Sequence, residues 1–213
     1  LQPRQSFAER RGQMLLPGLL TTVDGMPGLT LHAGDLDSTV GDIADLTADY
    51  DVVVADSPGV LPGWSERGLA VVQLMREPLD IALPEGHPLG ARSSLSPADL
   101  ADQTWIGTPE GLPFDRIFRI EGANGTPARI AQRFADNGIV ESLVAAGHGI
   151  AILPRYTTRD RENGLITRPL TGVRASRLIS VLMRPDRAER PSVRAVVTAL
   201  RDEAARFEAQ HTG

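Results

Sequence analysis

The sequence predicts an α/β fold of two subdomains, and three stretches carry the prediction. Residues 129–155 read as a strand, a helix and a second strand. Val52-Val53-Val54 reads as a strand buried on both faces, the pattern of a parallel sheet. The C-terminal stretch places Val193, Val196, Val197, Leu200, Ala204 and Phe207 on one stripe at helical spacing. Strands alternating with helices form crossover units, and such sheets bind ligands where loops leave the strand ends.

The elements follow in chain order. Ser6-Phe7-Ala8-Glu9 fits a capping box, in which the Ser and Glu side chains each satisfy a backbone donor. A helix is expected from there through Met14, Leu15, Leu16, Leu19 and Leu20, with Pro17 kinking it or ending its first part. Leu29 to Ala33 alternates like a strand, and Gly34-Asp35 makes its end turn. A helix from about Ser38 to Thr47 buries Val40, Ile43, Ala44 and Leu46. The strand over Asp51 to Asp56 follows. The first part therefore reads helix–strand–helix–strand, preceded by a strand.

Ser57 to Gly68 is rich in Pro and Gly and reads as a loop. Leu69 to Met75 and Leu79 to Leu83 are strands, with Arg76-Glu77-Pro78 between them as the first crossing between subdomains. Ser96-Pro97 looks like a helix start with Pro in the first turn. Thr104 to Gly107 is a short strand, Thr108 to Pro113 a loop, Phe114 to Glu121 a short helix and Gly122 to Pro127 a turn.

Within 129–155, Ile130, Gln132 and Phe134 alternate with Ala131 and Arg133. Asp136 and Asn137 offer oxygens to cap a helix whose apolar face carries Ile139, Val140, Leu143, Val144 and Ala146. Gly147 ends that helix, Ile150 to Leu153 is the second strand, and Pro154 stops it. A short helix to about Arg161, strands over Leu165 to Leu170 and Leu178 to Met183, and a last helix from near Pro191 complete the chain. A second crossing is placed at Arg184-Pro185-Asp186, and both crossings rest in part on the family resemblance given below. Subdomain I then comprises residues 1–76 plus 186–213, and subdomain II residues 77–185.

Composition excludes several functions. The 213 residues contain no cysteine, so disulfides, thiolate metal sites and a cysteine nucleophile are excluded. Lysine is absent too; all 22 basic residues are Arg, which excludes Schiff-base chemistry. Biased genome composition explains the missing Lys better than selection for Arg chemistry. The net charge of −5 argues against nucleic-acid binding by this chain alone, because phosphate contacts need a basic face. No apolar run has transmembrane length, and no secretory signal opens the chain. Seven Asp and no Arg lie between Asp35 and Asp56, but without regular ligand spacing; a solvated face with strand-end caps is the better reading, and no metal is expected.

No catalytic set assembles. There is no Gly-x-Ser-x-Gly elbow and no His-Glu-x-x-His, and Gly147-x-Gly149 lacks the third Gly of a dinucleotide fingerprint. The four His are scattered: His32 on a strand, His87 in a Pro-rich turn, His148 after a helix cap and His211 in the tail. Asn124-Gly125-Thr126 matches a glycosylation triplet, for which chance occurrence in a turn suffices. An enzyme is not expected, and no cofactor is called for.

Three motifs in register resemble the ligand-sensing domain of LysR-type transcriptional regulators. The first runs Val144-Ala145-Ala146-Gly147-His148-Gly149-Ile150-Ala151-Ile152-Leu153-Pro154. The second is Glu77-Pro78-Leu79 through Leu83-Pro84 and His87-Pro88-Leu89. The third is Leu95-Ser96 with Ala98-Asp99-Leu100 and Trp105-Ile106. The resemblance covers nearly the whole chain. One departure is that members begin this domain with a longer strand, whereas this chain opens at Leu1-Gln2-Pro3.

The resemblance implies two Rossmann-like subdomains with a ligand cleft between them, the architecture of type 2 periplasmic binding proteins. It implies an N-terminal winged helix-turn-helix and linker helix outside this sequence, through which DNA would be bound. It implies a cytoplasmic location, no membrane partner, a homodimer through subdomain strands and helices, and a tetramer at full length. The helices over Ser38–Thr47 and Ile139–Ala146 are candidates for that dimer contact.

Candidate effector contacts lie where strands end. Gln5-Ser6 and Gly34-Asp35 match positions that contact effectors in the resembled family. Asp56-Ser57, Thr108-Pro109 and Ala135-Asp136-Asn137 follow the other strand ends. Helix N-termini nearby offer unpaired N–H groups suited to carboxylate, sulfate or phosphate. At each of these residues a turn or cap is as good a reading as ligand contact. Trp64 and Trp105 could stack on an aromatic effector, although Trp105 in a strand reads better as core. The expected function is sensing of a small anionic or polar metabolite. The rivals are a solute-binding protein serving a transporter, with the same cleft physics, and an enzyme on this fold.

Overall fold

A computed structural model of the chain describes residues 4–7, 11–35, 43–59, 61–110, 128–158 and 164–211. The chain divides into two compact units, Leu1–Arg76 with Leu178–Gly213, and Glu77–Arg177.

The first unit is built on a mainly parallel sheet. β1 (Arg4–Phe7) lies between β2 (His32–Asp35) and β3 (Val52–Ser57) and runs parallel to both. A helix, α1 (Arg11–Asp24), connects β1 to β2. The capping box expected at Ser6 does not start a helix: Ser6 and Phe7 belong to β1. Pairing on both sides occupies the backbone groups of β1 there, which outweighs one local cap. Pro17 sits inside α1 without ending it, and Thr21 and Thr22 Oγ1 donate to the carbonyls of Pro17 and Gly18, both at 2.9 Å.

The strand expected over Leu29–Ala33 begins later, at His32, and takes in Gly34 and Asp35. Of the helix expected over Ser38–Thr47, residues 36–42 lie outside the described residues; Asp45–Ala48 forms a single 3₁₀ turn that buries Thr47. α2 (Pro62–Glu66) stands where a loop was expected, with Pro62 in its first turn and Trp64 buried against Ala44, Val53 and Leu182.

β4 (Ala70–Pro84) is one unbroken strand, not the two expected on either side of Arg76-Glu77-Pro78. It carries the chain from the first unit into the second. β9 (Ser176–Met183) brings it back and pairs antiparallel with β3, from Val53↔Leu182 to Ser57↔Leu178. The chain passes out of the second unit between Arg177 and Leu178, upstream of the Arg184-Pro185-Asp186 position. The last helix follows a short one, α4 (Pro185–Ala188). α5 (Pro191–His211) buries Val193, Val196, Val197, Leu200 and Ala204 of the stripe expected from spacing, while Phe207 at its far end is only half-buried. α5 packs on α1, where Gly18 leaves room for the Glu203 carboxylate.

In the second unit β4 pairs antiparallel with β7 (Ala151–Pro154) and β8 (Leu165–Pro169). A parallel pair, β5 (Thr104–Gly107) and β6 (Arg129–Arg133), joins this group through a parallel bridge between Trp105 and Ile150. The strand–helix–strand unit is present: β6, then α3 (Asn137–Ala145), then β7. Its two strands flank β5 instead of each other. Gly149 is what lets β7 start there, since a Cβ at that position would lie 2.8 Å from the Thr104 carbonyl oxygen. One core cluster gathers Ile81, Leu83, Leu95, Leu100, Trp105 and Ile150; another gathers Ile106, Val140, Val144, Leu153 and Leu165. The helix expected over Phe114–Glu121 lies outside the described residues.

Candidate functional site

The sequence-predicted site residues fall on strand ends in both units. In the first unit the register sets Ser6 beside Gly34 on one side and Val53 on the other, with Gln5 beside Ala33 and Phe7 beside Asp35. Gln5, Ser6, Gly34 and Asp35 thus share the C-terminal ends of two adjacent parallel strands, where an α/β sheet presents ligand-binding loops. Asp56 and Ser57 are still inside β3, paired with Ile179 and Leu178. Ser57 is fully buried and its hydroxyl donates to the Gly59 carbonyl at 2.5 Å, so it braces a turn. Asp56 is partly buried.

In the second unit the ends of β5 and β6 lie side by side. Phe134 N–H donates to the Gly107 carbonyl at 2.9 Å, which holds the two exits together. Thr108 and Pro109 leave β5; Ala135, Asp136 and Asn137 leave β6. Asp136 caps α3, its Oδ1 accepting from Ile139 N–H at 2.9 Å, so that carboxylate is engaged in structure. Thr108 differs: its Oγ1 is buried and has no hydrogen-bond partner among the described residues. A buried hydroxyl of this kind is costly unless something satisfies it.

Two charged residues of this rim were not predicted. Arg133 Nη1 donates to the Thr108 carbonyl at 2.6 Å, and its Nη2 lies 3.3 Å from Glu110 Oε1. A bulge hides Arg133 from a period-two reading. Trp105 faces Ile130 but Ile106 faces Gln132, so β6 has one extra residue and the alternation reverses past it.

Trp64 is 3% exposed and Trp105 2%, so neither offers a stacking face. His87 Nδ1 accepts from Leu89 N–H at 3.2 Å, a capping role, and His32 and His148 are exposed. Among the described residues no cluster of His, Asp or Glu could hold a metal ion, and no helix is long and apolar enough to cross a membrane.

The family described as LysR substrate binding domain matches residues 27–205. The chain belongs to that family. Two curated relatives are transcriptional regulators by description. HTH-type transcriptional regulator CysL of Bacillus subtilis is 26% identical over 151 residues, 70% of this chain and 48% of the relative. HTH-type transcriptional regulator TtuA of Agrobacterium vitis is 35% identical over 111 residues, 50% of this chain and 36% of the relative. The matches thus span less than half of either relative. These LysR relatives are regulators, not enzymes.

Solved LysR-family structures share the fold. HinK, a LysR family regulator from Pseudomonas aeruginosa, superposes with a TM-score of 0.79 at 17% identity, covering 96% of this chain and 71% of that one. An OxyR variant from Corynebacterium glutamicum gives 0.77 at 23%, covering 99% and 66%. A reduced form of OxyR from N. meningitidis gives 0.72 at 19%, covering 95% of both chains. The α/β fold expected from the sequence is the one these LysR domains have.

Proposed function

We propose that this LysR substrate-binding domain senses a small anionic or polar metabolite at the strand ends described above. Thr108 carries the reading: a buried hydroxyl at a strand exit, without a hydrogen-bond partner among the described residues, is a polar group that a ligand can satisfy. The family membership supports it, as does the gathering of Gln5, Ser6, Gly34 and Asp35 on neighbouring strand ends. Binding would bias an equilibrium between assembly states of a cytoplasmic dimer or tetramer, and operator binding would follow through an N-terminal domain.

Thermal unfolding of the purified chain against small acids and polar neutral compounds tests this. A ligand at about 100 times its Kd adds roughly 2.7 kcal/mol of stability. Saturable stabilisation by an acid or a polar neutral compound is expected. Stabilisation only by cationic or purely apolar compounds contradicts the reading.

A further inference from the structure

We infer that Arg133 is the residue that reads an effector carboxylate, and that Glu110 occupies its place until the effector arrives. The inference rests on the proposed sensing function and narrows the ligand to a carboxylic acid. Among the described residues 107–110 and 133–137, the charged side chains are Glu110, Arg133 and Asp136. Asp136 is committed to the cap of α3, which leaves Arg133 as the cation of this rim.

Two of its contacts differ in strength. Nη1 is fixed on the Thr108 carbonyl at 2.6 Å. One end of the guanidinium is therefore anchored on backbone before any ligand binds. The Nη2 contact is looser. Glu110 Oε1 stands 3.3 Å away and the Glu110 side chain is 78% exposed, against 30% for Arg133. An exposed carboxylate on a flexible side chain is a weakly held partner in water. A ligand carboxylate can replace it without leaving the cation bare, because one anion is exchanged for another on the same planar fork. The adjoining Thr108 Oγ1 then gains the partner it lacks.

Titrations of the purified chain with acetate, benzoate and succinate test this, with acetamide, benzamide and succinamide as neutral counterparts and thermal unfolding as the readout. At least one acid should stabilise the native chain saturably and more than its amide. Arg133→Gln should need at least tenfold more of that acid, about 1.4 kcal/mol of lost affinity. Glu110→Gln, a change at an exposed side chain, should need several-fold less. An unchanged acid response in both variants overturns the role of Arg133 and leaves the sensing function standing. So does stabilisation by the amides that equals that by the acids. No shift with any of the six compounds overturns the carboxylate assignment and counts against the sensing reading too.

Discussion

Glu77 and Arg177, the first and last residues of the second unit, form a buried ion pair. Arg177 Nε donates to Glu77 Oε2 at 2.6 Å, with Nη2 at 2.6 Å from the same oxygen, while Glu77 Oε1 accepts from Tyr156 N–H at 2.7 Å. Glu77 is 0% exposed and Arg177 5%. One residue sits on β4 and the other on β9, so the pair ties together the strands by which the chain enters and leaves the unit. Removing one charge strands the other in the interior. Glu77→Gln should therefore cost about 3–5 kcal/mol in urea unfolding, whereas the double change Glu77→Leu with Arg177→Met should recover most of that loss. Equal losses in the single and double variants would contradict this account.

Asp136 is a cap first. Asp136→Ala should destabilise the chain by about 1 kcal/mol, and Asp136→Ser should restore most of it, read from chemical denaturation. If ligand stabilisation is the same in Asp136→Ser as in the native chain, the carboxylate takes no part in recognition.

Thr108→Val is the reverse kind of test. The hydroxyl has no partner among the described residues, so its loss should leave stability unchanged or raise it by about 1 kcal/mol. The same change should weaken binding of any stabilising acid. A clear loss of ligand-free stability would mean that the hydroxyl is bonded within the fold.

Asp99 gives a pH signature. Hydrogen bonds from the Ser96 backbone N–H and the Ser96 hydroxyl, at 2.9 and 2.7 Å, hold its carboxyl below the usual value of 3.8, with the nearby Arg92 guanidinium adding to the effect. A carboxyl depressed in the folded state contributes stability that is present above the unfolded value and lost as pH falls through the folded one. Asp99→Asn should flatten that part of the acid limb below about pH 4 and leave the slope at neutral pH unchanged, in urea titrations repeated across pH.

Legibility followed locality. The α5 stripe, the Asp136 cap of α3 and the Val52–Val54 strand could be read because spacing and local capping decide them. The start of α1 could not: a good capping box at Ser6 yields to two-sided strand pairing, which involves residues far along the chain. β4 was split by Pro78, although Pro78 still accepts from Arg155 N–H at 3.0 Å through its carbonyl and the strand continues. At the site, counting located the strand ends, and Thr108 with them. It missed Arg133 because the bulge in β6 reverses the side-chain faces, and Glu110 because its relation to Arg133 exists only in the fold.

Hydrogen exchange of the purified chain, with and without a saturating acid that raises its melting temperature, tests the central claim most directly. The account predicts slowed exchange at two sets of strand ends: residues 5–7 and 33–35 in one unit, and residues 107–110 and 133–139 in the other. Protection confined to other segments, such as the α5 surface, would contradict a ligand site at those strand ends.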